Sequence, residues 1–198
     1  IALMMSQIQP HFMYNTLQAI QVLCRKDSDT AQKTIVKFSE YLRHNMDFVE
    51  MKGLISFKED FNHIKCYVDI EQIRFQERLR MAYDIQVDDF MIPPLSIQPL
   101  VENAIKHGIC KKAEGGTVIV RTRKEANRII IEVMDNGIGF DTAILKETNT
   151  KSMGTRNVRF RLEHMVGATL TIKSIPGEGT YQVVSIPQEE NKNENYNC

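Results

Sequence analysis

A change of pattern near Leu79 limits what this chain can become. Before it, apolar residues recur every three to five positions; after it, β-branched residues alternate or run together between glycine- and proline-containing breaks. Helical spacing followed by strand spacing predicts two domains of an α+β protein, a helical block over residues 1–79 and a mixed block over 80–187. Residues 188–198 are polar and asparagine-rich, and are expected to stay disordered because they have little apolar surface to bury.

In the helical block, Ile8, Phe12, Leu17, Ile20 and Leu23 describe one face of a first helix. Pro10 lacks an N–H and crowds the preceding turn, which predicts a kink just before His11. Asp27-Ser28-Asp29-Thr30 reads as a turn whose last residues cap a second helix carrying Ile35, Phe38, Leu42 and Met46. Ser56 with Glu59 matches a capping box, opening a third helix with Phe57, Phe61, Ile64, Val68 and Phe75 on one side. The first two helices are too narrow to bury their apolar faces alone, so two copies are expected to pair into a four-helix bundle.

In the second block, 81–87 alternates like a strand, and Pro93-Pro94 precedes a helix expected over 95–107. The runs 117–123 and 128–134 read as a hairpin, 157–166 as a short helix, and 169–174 with 181–186 as two last strands.

Charge and cysteine usage narrow the function classes. Lys plus Arg (25) equal Asp plus Glu (25), so no global field favours nucleic acid or an anionic membrane. Cys24, Cys66, Cys110 and Cys198 are scattered without CxxC pairing and read as free thiols of a reducing compartment. His63 with Cys66, and His107 with Cys110, have metal-compatible spacing, but two isolated ligands do not make a zinc site. His44, His63 and His164 read as surface or core residues. No apolar run approaches the ~20 residues needed to span a bilayer. The start at Ile1 rather than Met is what a piece of a longer chain would show, with any membrane segments upstream.

Three short stretches of the second block share one theme. On a helix over 99–108, Asn103, Lys106 and His107 share a face, and offer an amide oxygen for Mg²⁺, an ammonium for phosphate and an imidazole for a nucleoside. At a strand end, Asp135 can accept a hydrogen bond from an exocyclic amine, while Gly137 and Gly139 permit close backbone approach. Gly154 and Asn157 lie where a small-residue loop enters a helix, a place that attracts phosphate. Downstream, Thr180 closes a Gly-Glu-Gly-Thr connection. Each stretch alone also fits a solvated helix face or an ordinary turn. No Walker or Rossmann cradle is present.

Taken together, "PLVENAIKHG", "DNGIGF", "GTRNVRFRL" and "GEGT" resemble the N, G1 and G2 boxes and final Gly-Thr element of the Bergerat-type (GHKL) ATPases. "QIQPHFMYNTLQAI" resembles the phosphoacceptor helix of the LytS/YehU-type sensor histidine kinases, and "YVDIEQIRFQERL" their segment leading into the ATP domain. The resemblance implies a Bergerat-fold α/β sandwich behind a dimeric helical hairpin, with ATP and Mg²⁺ bound. It makes His11 the phosphoacceptor, Asn103 the Mg²⁺ ligand, and Lys106 and His107 contacts to phosphate and nucleoside. Asp135 would read the adenine amine, helped through water by Thr180. Gly137, Gly139 and Gly154 would shape the pocket, and Asn157 would end a mobile lid. It also implies a homodimer, a cytoplasmic response regulator as phosphotransfer partner, and a cytoplasmic position below a membrane sensor.

There are departures. Ser152 and Thr155 stand where the family usually has glycine and leucine, which puts lid geometry in doubt. Phe12 occupies the position where many such kinases carry an acid, leaving the base unidentified. Asn15, four residues after His11, shares its helix face and suggests a phosphatase role toward the regulator. Two rival functions remain open: a GHKL ATPase, disfavoured by Pro99 at the position of the usual hydrolytic Glu, and a non-catalytic ATP-sensing dimeric scaffold.

Overall fold

The computed structural model describes residues 10–51, 53–142 and 153–188. Helix α1 spans Pro10–Lys26. The kink expected ahead of His11 lies outside the described residues, as do most of the lid and the tail. Phe12, Thr16 and Ile20, spaced by four, form the buried stripe of α1, and the Thr16 hydroxyl is satisfied by the Phe12 carbonyl at 2.8 Å. Helix α2 (Ser28–Glu50) is capped by Asp27, the first residue of the expected turn rather than one of its last, whose carboxylate takes the Thr30 N–H at 3.0 Å and hydroxyl at 2.6 Å. Strand β1 (Ile55–Ser56) leads into α3 (Phe57–Phe75), where the capping box forms as expected: Ser56 Oγ accepts from Lys58 N–H and Glu59 accepts from Ser56 N–H, both at 3.2 Å.

Phe12 ties the three helices together. Its ring lies 6.1 Å from Phe38 and 5.0 Å from both Tyr41 and Tyr67. His63 of α3 is buried in the same layer, stacked on Tyr41 at 4.8 Å. Burial, with His44 adding charge repulsion, pulls its imidazole down to about 4, so it packs as a neutral ring.

Five strands form the sheet, in the order β2-β4-β5-β7-β6. Strand β2 (Leu79–Ile85) runs parallel to β4 (Gly116–Glu125), whereas β4, β5 (Arg128–Asp135), β7 (Gly179–Pro187) and β6 (Thr169–Ile175) are antiparallel neighbours. The short β3 (Met91–Ile92) pairs with β1. Val118, Val120, Ile131, Val133 and Val184 are buried in one core with Leu100, Val101 and Ile105 of the 98–108 segment and Val158 and Leu162 of α5 (Met153–Val166). Gln182 Nε2 donates to the Leu100 carbonyl at 3.0 Å, pinning helix to sheet. Helices over one face of a mixed sheet are the α/β sandwich the sequence implies.

The helix expected over 95–107 is shorter and changes type. Helix α4 spans only Gln98–Asn103, followed by a π turn over Ala104–Gly108 and a 3₁₀ turn over Ile109–Lys111. Leu95 cannot join it. Its φ is 55°, its N–H is bound by Asp60 Oδ1 at 2.9 Å, and its carbonyl accepts from the Arg161 guanidinium at 2.7 Å. One residue thereby links α3, α5 and the entrance to α4. A second link runs through Gln98, whose Nε2 donates to Tyr41 Oη at 2.9 Å and to Glu102 at 2.8 Å.

Asp60 is fully buried, and burial raises its carboxyl to about 7 against the opposing pull of the Leu95 and Ile97 N–H groups and Arg161. The folded value exceeds the unfolded one, so folding holds the proton. Stability from this group is therefore present at low pH and is lost as pH rises through about 7. Asp60→Asn is expected to flatten the fall in urea midpoint between about pH 5 and about pH 8. Paired urea titrations with an unchanged slope would contradict this.

Candidate functional site

The site is built at one end of the sheet, where β5 stops and β7 begins. Strand pairing sets Asp135 opposite Thr180. Asp135 is 9% exposed; its Oδ1 accepts the Gly137 N–H at 2.9 Å, and the Thr180 side chain also bonds to it. Burial raises its pKa and these hydrogen bonds lower it, with burial dominant.

The turn after Asp135 is in backbone contact with the π turn. A Cβ on Gly137 would run into the Gly108 backbone and sit 2.7 Å from Asp135 Oδ1, and one on Gly108 would sit 2.5 Å from the same oxygen. Only paired glycines allow this approach. Gly139 has a φ of 57°, and a Cβ there would strike the Ile175 carbonyl. The intervening Asn136 is anchored on both sides: its Oδ1 accepts from Thr117 N–H at 2.7 Å, and Lys112 Nζ donates to its carbonyl at 2.9 Å.

Ser174 joins the turn to the last strands and escapes sequence reasoning. Its hydroxyl accepts from Phe140 N–H at 2.9 Å, donates to the Gly179 carbonyl at 2.9 Å, and lies 3.0 Å from Thr180 Oγ1. A lone serine in a strand carries no signal of such a role. Gly108 was visible only as the end of a motif, and its contact with Asp135 depends on chain folding.

Asn103, the last residue of α4, donates to Thr155 Oγ1 at 3.4 Å and so joins α4 to the start of α5. Lys106 lies 3.7 Å from the Glu102 carboxylate and 5.9 Å from the Tyr67 ring centroid, facing the helical block. The π turn explains this placement, because its wider turn breaks the i, i+3, i+4 face expected for a continuous α-helix. His107 is exposed, and partial burial followed by Lys106 and Lys111 holds its imidazole below the usual value. Gly154 and Asn157 are exposed on the first turns of α5, with open space around Gly154. The structure thus gathers Asp135, Gly137, Gly139 and Thr180, and joins Asn103 to the α5 entrance.

The second place is on α1. His11 is exposed there, and Asn15 Nδ2 lies 2.9 Å from its Nδ1 and 3.3 Å from its Nε2. Phe12 points the other way and is 1% exposed.

Residues 1–79 match the family described as histidine kinase, and residues 95–190 match the histidine kinase-, DNA gyrase B-, and HSP90-like ATPases. The chain belongs to the histidine kinase family. This kinase is 40% identical over 186 residues to YwpD of Bacillus subtilis (strain 168), covering 91% of the chain and 67% of YwpD. It is 37% identical over 190 residues to the sensor histidine kinase YpdA of Escherichia coli (strain K12), covering 93% of the chain but 33% of YpdA. Among solved structures, the histidine kinase domain of the Erythrobacter litoralis EL346 blue-light activated histidine kinase has the same fold. The TM-score is 0.55 at 16% identity, over 89% of this chain and 92% of that one. The kinase's two matched segments are thus a histidine kinase segment and an ATPase domain, the pair of parts used in two-component signalling.

Proposed function

We propose that this chain is the catalytic portion of a sensor kinase that binds Mg-ATP, phosphorylates its own His11, and passes the phosphoryl group to an aspartate of a cytoplasmic response regulator. One observation carries the reading: a buried Asp135 carboxylate in a glycine-walled turn shares a chain with a solvent-exposed histidine on a packed helix. The residues suit a purine nucleotide. Asp135 can accept from the adenine amine, with Thr180 bridging through water, and the Gly108–Gly137 contact leaves no side chain between the ring and the backbone. Gly139 and Gly154 shape the walls, His107 lies toward the nucleoside, and Asn157 ends the lid.

Lys106 exchanges Glu102 for the phosphates, and Asn103 offers its amide oxygen to Mg²⁺, which supplies charge neutralisation at the transferring group. Burial of Phe12 fixes how α1 is turned and leaves His11 on the exposed part of the helix, presented outward for attack. Asn15 would later position water against phosphohistidine, giving a phosphatase activity toward the regulator. Transfer of label from γ-labelled ATP to the chain tests this reading, with hydrolysis lacking any labelled protein as the outcome that favours a simple ATPase.

The stem favours a homodimer. Tyr14, Leu17, Val22, Ile35, Val36 and Met46 of α1 and α2 are all at least 46% exposed, and a second copy would cover them in a four-helix bundle. Light scattering is expected to give two chains per particle; one chain per particle at micromolar concentration would count against the bundle. Among the described residues no helix is long and apolar enough to cross a membrane. We place the chain on the cytoplasmic side of a membrane sensor, the attachment lying in parts of the protein outside this sequence.

A further inference from the structure

From the hydrogen bonds around Ser174 we infer that it is a positioning residue of the base pocket: it makes Thr180 an acceptor toward the base, and so favours adenine over a purine that carries a proton on N1. The inference rests on the adenine reading of the Asp135 site and deepens it. Strand pairing puts three residues in one row, with Asp135 of β5 opposite Thr180 of β7, and Thr180 opposite Ser174 of β6. Directly opposed residues of antiparallel strands project to the same face, so the three side chains meet at the end of the sheet.

A hydroxyl has one proton and two lone pairs, and Ser174 uses all three. One lone pair takes the Phe140 N–H at 2.9 Å, the proton lies toward the Gly179 carbonyl at 2.9 Å, and Thr180 Oγ1 meets what remains at 3.0 Å. Ser174 therefore has nothing left for a ligand, and its effect on one passes through Thr180 or the turn at Phe140. A carbonyl only accepts, so with the Ser174 proton on Gly179 the second lone pair receives the Thr180 O–H. If the two hydroxyls reverse, Ser174 supplies Thr180, and the Thr180 proton goes to the Asp135 carboxylate, which its side chain also bonds. In both arrangements the Thr180 proton is spent within the protein, and a ligand meets a lone pair.

That polarity selects the base. A water between Thr180 and the ring has to donate to Thr180, and its other proton then points at the ring. Adenine answers with the lone pair on N1. Hypoxanthine presents N1–H instead, and its O6 faces the Asp135 carboxylate, acceptor against acceptor. Without the Ser174 hydroxyl, Thr180 is free to turn and to offer its own proton to O6, so discrimination falls. The turn itself keeps a second tie, Gly177 N–H to the Ile138 carbonyl at 2.7 Å, so Ser174→Ala leaves it in place.

Calorimetric titration of the full chain with ADP and with inosine diphosphate tests this. The parent is expected to prefer ADP, and Ser174→Ala to lower that preference about fivefold or more, the worth of one hydrogen bond. A residue that only braced the turn would weaken both nucleotides alike and leave their ratio unmoved. In a Thr180→Val background, Ser174→Ala should change the ratio by less than about twofold, because the group it acts through is gone. Methyl magnetic resonance of the nucleotide-free protein adds a readout independent of binding. The three-bond couplings of Thr180 should report one side-chain rotamer in the parent and an averaged one in Ser174→Ala. An unchanged ratio in Ser174→Ala would overturn the proposal, as would the same loss of preference with and without the Thr180 hydroxyl. A parent that binds both nucleotides equally would sink the adenine reading; averaging of Thr180 confined to Ser174→Ala would then still uphold the hold of Ser174 on that hydroxyl, and a single rotamer in both proteins would overturn it.

Discussion

Gly137→Ala is expected to weaken adenine-nucleotide binding by about one to two orders of magnitude while leaving the three-helix stem folded. The added methyl would press on the Gly108 backbone and on Asp135 Oδ1. Neither neighbour can yield easily. Asn136, next to Asp135, is tied to Thr117 and Lys112, and Gly108 closes a π turn held between the buried Ile105 within it and the buried Ile109 that follows it. Relief therefore has to come from the turn itself, which would swing Asp135 away from Thr180 and open the wall that meets the base. Overpacking of this kind costs about 1–3 kcal/mol where it occurs, and if all of it falls on the binding-competent turn the affinity drops by about one to two orders of magnitude. Calorimetric titration with ADP should show a dissociation constant raised by about one to two orders of magnitude for the variant, and circular dichroism should show unchanged helix content. A dissociation constant within threefold of the parent would mean that the turn does not line the base.

Substituting Phe12 is expected to have the largest effect on stability. The ring is 1% exposed and contacts three aromatic residues from two other helices. Phe12→Ala should cost about 3–5 kcal/mol, the range for removing a buried aromatic ring. Phe12→Glu should be worse, because a carboxylate there would be desolvated without a partner. Supplying the acid that many histidine kinases carry after the phosphoacceptor would therefore unfold this stem rather than speed its chemistry. Urea titration followed by helix signal decides it. A Phe12→Glu protein as stable as the parent would show that the position can turn to solvent and act beside His11.

Much of the fold was legible because it rests on local spacing. The stem helices, the Ser56–Glu59 capping box and the β4–β5 hairpin follow from neighbours in sequence, and the structure repeats them. The apolar faces read for α1 and α2 hold only in part, since Leu17, Ile35 and Met46 are at least 46% exposed. The 95–107 segment was misread because its shape is set from far away. Asp60, 35 residues earlier, and Arg161, 66 residues later, hold Leu95 out of the helix. No periodicity reports that. The same applies to the site. Asp135, Gly137 and Thr180 could be named because glycines and a strand-end carboxylate are visible as residue types. Gly108, Asn136 and Ser174 act through contacts across the sheet end, and their residue types are ordinary in turns and strands. Phe12 shows the converse. Its departure from the family pattern was plain in the sequence, but its reason lies in Tyr41 and Tyr67, far along the chain.

The most direct measurement is incubation with γ-labelled ATP and Mg²⁺, comparing the chain with His11→Gln. The account predicts acid-labile, alkali-stable label on the parent and none on the variant, with nucleotide binding equal in both. Label that persists in His11→Gln, or a parent that binds ATP and takes none, would contradict it.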